Sequence, residues 1–138
     1  MTSAYQDPGT IDRVLDMDTW AVVGLTDNPA RTAYRIAQVL LDRGKRVVAV
    51  NPRGESVLGC PGVRTLAEID GPVDVVDIFR RSEAAGTHVD EAIAARAQAV
   101  WLQLGVIDEA AAARAADAGL AVVMDTCPAI EWGRRRSE

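Results

Sequence analysis

The stretch from Thr19 to Tyr34, TWAVVGLTDNPARTAY, constrains this chain more than any other. A short apolar run, Trp20 to Val23, breaks at Gly24 into a polar turn, and amphipathic spacing resumes after Pro29. Apolar residues then fall at Ala33, Ile36, Ala37, Leu40 and Leu41, the i, i+3, i+4, i+7 and i+8 positions of one helical face. The pattern predicts a strand, a turn, and a helix over 31–43 that stops at Gly44. A turn held between a buried strand and a helix N-terminus favours an anion, most often a phosphate, because the first N–H groups of the helix are free and its dipole points there.

The alternation continues along the chain. Apolar, β-branched runs occur at Trp20 to Leu25, Val47 to Val50, Val73 to Phe79, Ala99 to Leu104 and Ala121 to Met124, with helical patterns between most of them. Continuous apolar strands separated by helices are what a parallel sheet covered on both faces requires. The reading is α/β: a Rossmann-like, doubly wound five-stranded parallel sheet of order 3-2-1-4-5 in three α/β/α layers. The 138 residues then form one domain, with its core over about 18–131. TLAE at 65–68 and THVD at 87–90 match the capping box, the helix holding the second beginning as early as Ser82, and Asp108 is suited to cap an alanine-rich helix that Gly119 ends. Thr10 is suited to cap a short helix, IDRVLD. Residues 1 to 8 read as a loose arm, 53 to 64 as an irregular loop or short ribbon, and the tail EWGRRRSE as solvated and partly mobile.

Composition narrows the function classes. Twenty acidic against fifteen basic residues give a net charge of −5, so non-specific binding to nucleic acid or an anionic membrane is not expected. No apolar run approaches the roughly 18 residues that span a bilayer, and MTSAYQDPGT lacks the basic and apolar regions of a leader. The expected location is the cytoplasm. Cys60 and Cys127 form no C-x-x-C and are joined by a single histidine, which argues against a metal or redox motif. His88, in a helical pattern, reads as solvated or helix-packed, Trp101 as core or pocket lining, and the acids of VDVVDIF as strand-end and loop-facing groups.

In doubly wound sheets ligands bind beyond the carboxyl ends of the strands, where the strand order reverses. The candidate residues are therefore Leu25 to Arg31, Asn51 to Arg53, Phe79 to Arg81, Gln103 to Val106 and Thr126 to Pro128. The dinucleotide fingerprint G-x-G-x-x-G is absent after Gly24, and the second strand ends Asn51-Pro52-Arg53 where an NAD site wants a carboxylate. Arg53 suits a phosphate on the ribose, which leaves NADP or coenzyme A. Asn51-Pro52 also reads as a plain strand-ending turn, and Asp27-Asn28-Pro29 as an Asx-type turn. A receiver-type phosphorylation domain is discarded, since strand one ends Gly24-Leu25-Thr26 and Lys45, the one lysine, precedes strand two.

Taken together, VVGLTDNPARTAYRIAQVLLDRGKRVVAVNP, VLGCPGVRTLAEI, VDVVDIFRRSE, VWLQLG and AGLAVVMDTCP resemble the small stand-alone CoA-binding proteins, which are similar to the CoA-binding domain of the succinyl-CoA synthetase α-subunit. The resemblance covers roughly residues 18 to 131. It implies Gly24, Thr26, Asn28 and Arg31 at the pyrophosphate of CoA, and Asn51, Pro52 and Arg53 near the adenosine and its 3′-phosphate. It also implies Phe79, Arg80, Gln103 and Gly105 along the remainder. Cys60 and Cys127 read as two ordinary free thiols; the alternative for Cys127, placed after the fifth strand by the topology, is that it approaches the CoA thiol and forms a mixed disulfide under oxidation. Ligases of the related superfamily carry a phosphorylated histidine in a further domain, and His88 matches no catalytic motif. The expectation is a binding protein for CoA or an acyl-CoA without chemistry of its own, either a CoA store or carrier or a regulatory subunit for an enzyme partner. The rival expectation is an NADP-binding redox enzyme or redox sensor on the same fold.

Overall fold

A computed structural model describes residues 4–135. Six parallel strands form one sheet: β1 (Thr19–Val23), β2 (Arg46–Val50), β3 (Gly62–Val63), β4 (Val75–Ile78), β5 (Ala99–Leu102) and β6 (Ala121–Met124), in the order β3-β2-β1-β4-β5-β6. Five helices cover it: α1 (Pro8–Leu15), α2 (Thr32–Asp42), α3 (Ser82–Ala94), α4 (Glu109–Asp117) and α5 (Pro128–Arg135). A single 3-10 turn, Leu66–Glu68, precedes β4 and is closed by the expected capping box of Thr65 and Glu68.

Strand alternation divides the core in two. Trp20, Val22, Val75, Ala99, Trp101 and Val123 face α1, α2 and α5, whereas Ala21, Val23, Val76, Ile78, Val100, Leu102 and Met124 face α3 and α4. That is the Rossmann-like three-layer arrangement expected from the sequence. The strand count rises from five to six. Within the stretch read as a loop or ribbon, Gly62–Val63 pairs with Ala49 and Val50 and takes the edge beside β2. The run at 75–78 is thus the fourth strand and lies directly beside β1. Gly62 is required there, because a Cβ would sit 2.0 Å from the Glu55 carbonyl oxygen.

Residues 4–8 and 131–135 are better fixed than the sequence suggests. Residues 1–3 and 136–138 of the expected arm and tail lie outside the described residues. Within them, Gln6 donates to the carbonyls of Met124 and Asp125, and α1 is capped by Asp7 in place of Thr10. Residues 131–135 of the segment read as a solvated tail belong to helix α5. Its Trp132 ring lies 6.4 Å from that of Trp20, which lies 5.9 Å from that of Trp101. Its Glu131 is buried, accepting from Thr126, Arg134 and Arg135, and Arg135 also donates to Asp12. A buried carboxylate is tolerated because it is paired and hydrogen-bonded.

The two acids of VDVVDIF part company. Asp74 is at the strand end as expected, where its carboxylate accepts from the backbone N–H groups of Asp18 and Thr19 and from Gln98, tying the amino ends of β1, β4 and β5 together. Asp77 is mid-strand between Val22 and Trp101, fully buried, and neither carboxyl oxygen has a partner. Burial pushes its carboxyl well above the usual carboxylate range, so it is held as the neutral acid. In the unfolded chain the same group ionises above about pH 3.9. Over the pH window between those two values the unfolded state binds fewer protons, and stability falls as pH rises. Asp77→Asn, which cannot ionise, should stabilise the fold by an amount that grows from pH 5 to pH 8. Urea midpoints of both proteins at the two pH values would show it; a pH-independent difference would contradict it.

Candidate functional site

The site is built where β1 and β4 end side by side. Gly24 follows β1 at φ +97°, and a Cβ there would sit 2.7 Å from the Phe79 carbonyl oxygen. The two chains therefore approach closely and then diverge, β1 towards α2 and β4 towards α3. Between them and the N-terminal turns of α2 and α5 lies a cleft of about 660 Å³, a size suited to a small organic ligand. Its walls are Gly24, Arg31, Ala33, Arg35 and Ile36 on the β1–α2 side, Phe79 after β4, Gln103, Leu104 and Val106 after β5, and Cys127, Ala129 and Ile130 at the start of α5.

Local chemistry prepares the α2 end for an anion. The turn is held by Asn28, whose Oδ1 accepts from the Ala30 N–H at 3.0 Å, while Thr26 Oγ1 accepts from the Asn28 N–H at 3.5 Å. Arg31 occupies the N-cap of α2 without a capping side chain, and no acid lies in the first turn. The helix N-terminus thus retains its positive end. Arg53, Arg80 and Arg81, all exposed, stand on the loops of the same sheet edge as Arg31 and Arg35. Five of the chain's fifteen basic residues gather there although the chain as a whole is acidic. The Arg53–Glu55 pair at 3.6 Å and the Arg81–Glu83 pair at 3.5 Å are exposed contacts that leave both guanidiniums available.

Gln103 is the group that most needs a ligand. It lines the cleft, is only 5 % exposed, and its Oε1 has no hydrogen-bond partner. A buried acceptor without a donor costs about 1–3 kcal/mol, a cost that a ligand N–H would offset. A second depression of about 700 Å³ at the opposite, amino-end side of the sheet is lined by Arg13, Asp16, Arg96 and Gln98 among others. No unpartnered buried side chain among the described residues lies there.

Of the residues expected at the site, Gly24, Arg31, Phe79 and Gln103 meet in the cleft. Thr26, Asn28, Pro52, Arg53, Arg80 and Gly105 lie on the surrounding loops outside it, with Gly105 donating its N–H to Asp125. Asn51 is buried, and its side chain turns inward. The amide donates to the Leu25 and Glu55 carbonyls at 3.0 and 2.9 Å and accepts from the Glu55 N–H at 2.8 Å. Asn51 therefore fastens the β1 turn to the loop after β2, and Arg53 is carried on that fastened loop. Sequence reasoning missed Thr32, Ala33, Arg35, Ile36, Ala129 and Ile130 as wall residues. Ile36 carried the signal of an ordinary core position, and Ala129 and Ile130 fell beside a segment read as solvated tail.

A family model described as a CoA binding domain matches residues 18–133, spanning all six strands and the whole cleft. The chain belongs to that family. The uncharacterized protein YneT of Bacillus subtilis (strain 168) is 39 % identical over 107 residues, which is 78 % of this chain and 79 % of the relative. A solved Thermus thermophilus protein is 34 % identical with a TM-score of 0.86, over 94 % of this chain and 98 % of its own. The dinucleotide-forming acetyl-coenzyme A synthetase 1 of Ca. Korarchaeum cryptofilum, at 21 % identity and TM-score 0.71, shares the fold over 81 % of this chain and 27 % of its own. Among the described residues of this CoA-binding domain no helix is long and apolar enough to cross a membrane, and no group of three His, Cys, Asp or Glu side chains could hold a metal ion.

Because the Asn51 amide bonds within the protein, its removal should act without any ligand. Asn51→Ala leaves the buried Leu25 carbonyl and the half-buried Glu55 backbone groups unpaired, and a loss of about 1–3 kcal/mol in ligand-free stability is expected. Urea unfolding of the ligand-free protein checks it; an unchanged midpoint would show that Asn51 is not a structural fastening.

Proposed function

We propose that this domain binds coenzyme A, or an acyl-CoA, along the carboxyl edge of the sheet without catalysing its conversion. In this reading the adenosine and its 3′-phosphate lie over β2, where Arg53 is exposed on the loop held by Asn51. The pyrophosphate lies over β1, against the N-terminus of α2 and the Arg31 guanidinium. The pantetheine arm crosses β4 and β5, passing Phe79 and offering an amide N–H to Gln103 Oε1. The observation that carries the reading is one continuous cleft joining an uncapped, arginine-flanked helix N-terminus to an apolar channel with an orphaned acceptor in its wall. Such a cleft matches a molecule that is polyanionic at one end and a slender amide chain at the other. Leu104 and Ile130, among the most exposed large apolar residues, stand at the cleft and would lie against the arm or an acyl group.

The proposal of binding without catalysis is supported by the wall itself, which offers no acid–base pair. His88 lies on α3, its Nδ1 2.8 Å from Glu91 Oε1, and takes no part in the cleft.

Calorimetric titration with CoA, dephospho-CoA, acetyl-CoA and NADPH tests the proposal. The expected result is saturable binding of CoA, weaker binding of dephospho-CoA and none of NADPH. In Arg53→Ala the preference for CoA over dephospho-CoA should shrink by about 1.5–3 kcal/mol, the worth of a hydrogen bond to a charged group. In Arg31→Ala both ligands should weaken alike. Binding of NADPH without CoA would overturn the proposal, and equal weakening of both CoA forms by Arg53→Ala would remove Arg53 from the 3′-phosphate.

A further inference from the structure

We infer that Cys127 is a site of reversible covalent attachment for coenzyme A, which it joins by exchange with CoA disulfide. The inference rests on the CoA reading and deepens it by giving the far end of the cleft a chemistry.

Two cysteines occur, both buried at 5 % and 7 % exposure for Cys60 and Cys127, and they differ in what they border. Cys60 is buried in the loop before β3, with its Sγ 3.8 Å from the Leu58 carbonyl oxygen, and burial pushes its thiol up. It lines no part of the cleft. Cys127 lies between β6 and α5 and forms part of the cleft wall. Its position is fixed by the loop around it. The Cys127 carbonyl accepts the Glu131 N–H at 3.0 Å, and the preceding Thr126 carbonyl accepts the Trp101 indole N–H at 2.8 Å.

Reach agrees with this placement. From β1, above which the pyrophosphate is assigned, the sheet runs through β4 and β5 to β6. Three steps at about 4.8 Å between neighbouring strands make roughly 14 Å, comparable to an extended pantetheine arm. An arm that begins at the α2 N-terminus and follows the cleft therefore brings its sulfur to the β6 end. Gln103 provides the independent mark of a ligand on that path. It stands in the cleft wall on the loop after β5, between the two ends, and its buried Oε1 has no partner.

The step balances without an outside oxidant. The Cys127 thiol loses its proton, and its sulfur attacks one sulfur of CoA disulfide. The CoA–CoA sulfur bond breaks as the bond from Cys127 to one CoA forms. The second CoA leaves as thiolate and takes up a proton, so the two-electron oxidation already held by the disulfide passes to the protein. A thiol reductant reverses the step. Reduced CoA would be held only by its non-covalent contacts, and oxidised CoA would become fixed, so the domain would register the redox state of the CoA pool.

Intact mass of the full chain after incubation with CoA disulfide tests the inference. One CoA adduct is expected on the natural chain and on Cys60→Ser, none on Cys127→Ser, and complete release by dithiothreitol. Because the cleft concentrates CoA next to its sulfur, the adduct should form about tenfold or more faster than with glutathione disulfide at equal concentration. An adduct retained by Cys127→Ser, or equal rates with the two disulfides, would overturn it. Calorimetry of the natural chain with reduced CoA separates the covalent step from the CoA reading. Normal binding of reduced CoA with no adduct on the natural chain would overturn the covalent step alone. Loss of reduced-CoA binding by the natural chain would overturn the CoA reading and this inference with it.

Discussion

The parallel pairing of β1 with β4 is the constraint on which the rest of the molecule depends. It brings Gly24 against the Phe79 carbonyl, and only a residue without a Cβ fits that approach at positive φ. From there β1 turns towards one face of the sheet and β4 towards the other, so α2 and α3 leave on opposite sides and a crevice opens between them. A reversal of this kind puts helix N-termini and loop N–H groups around one edge and leaves the opposite edge to helix ends of the other polarity. The site is thus a consequence of strand order before any particular side chain is considered.

Side chains then make that edge specific. Asn51 fastens the loop after β2 to the turn after β1, so the parts assigned to the nucleotide and pyrophosphate are held in one mutual position. At the other end, Glu131 collects Thr126, Arg134 and Arg135, and Arg135 reaches Asp12 on α1. That cluster seats α5 against the Trp20–Trp132 contact and thereby presents Cys127, Ala129 and Ile130 to the cleft. Asp77 and Gln103 occupy the same sheet face as Trp101, both with unpartnered oxygens. In Gln103 the unpaired atom belongs to a cleft-lining residue, which gives it a use; Asp77 is enclosed in the core and bears on stability.

How much of this was legible in the sequence follows from the range of the interactions involved. The β1–α2 unit and the strand–helix alternation are written in local periodicity, so strands, helices and the three layers could be read directly. The CoA-binding family could be read from several motifs in a consistent order. Three features could not be read. The edge strand Gly62–Val63 is two residues long and exists only through its pairing with β2. Helix α5 looks polar, because the burial of Glu131 depends on partners as distant as Asp12 on α1, through Arg135. Asn51 looks like a ligand amide, because nothing local reveals that Leu25 and Glu55 come to meet it. Each concerns a contact between segments, which residue type and spacing alone do not encode.

The most direct test of the central claim is backbone amide NMR of the isotope-labelled protein during titration with CoA. The account expects shifts to concentrate at Gly24 to Asn28, Ala30, Arg31, Arg53, Phe79, Gln103 to Val106, Cys127, Ala129 and Ile130, with Arg13, Asp16, Arg96, Gln98 and Leu120 unmoved. Shifts confined to the amino-end residues would place the ligand on the wrong side of the sheet and contradict it.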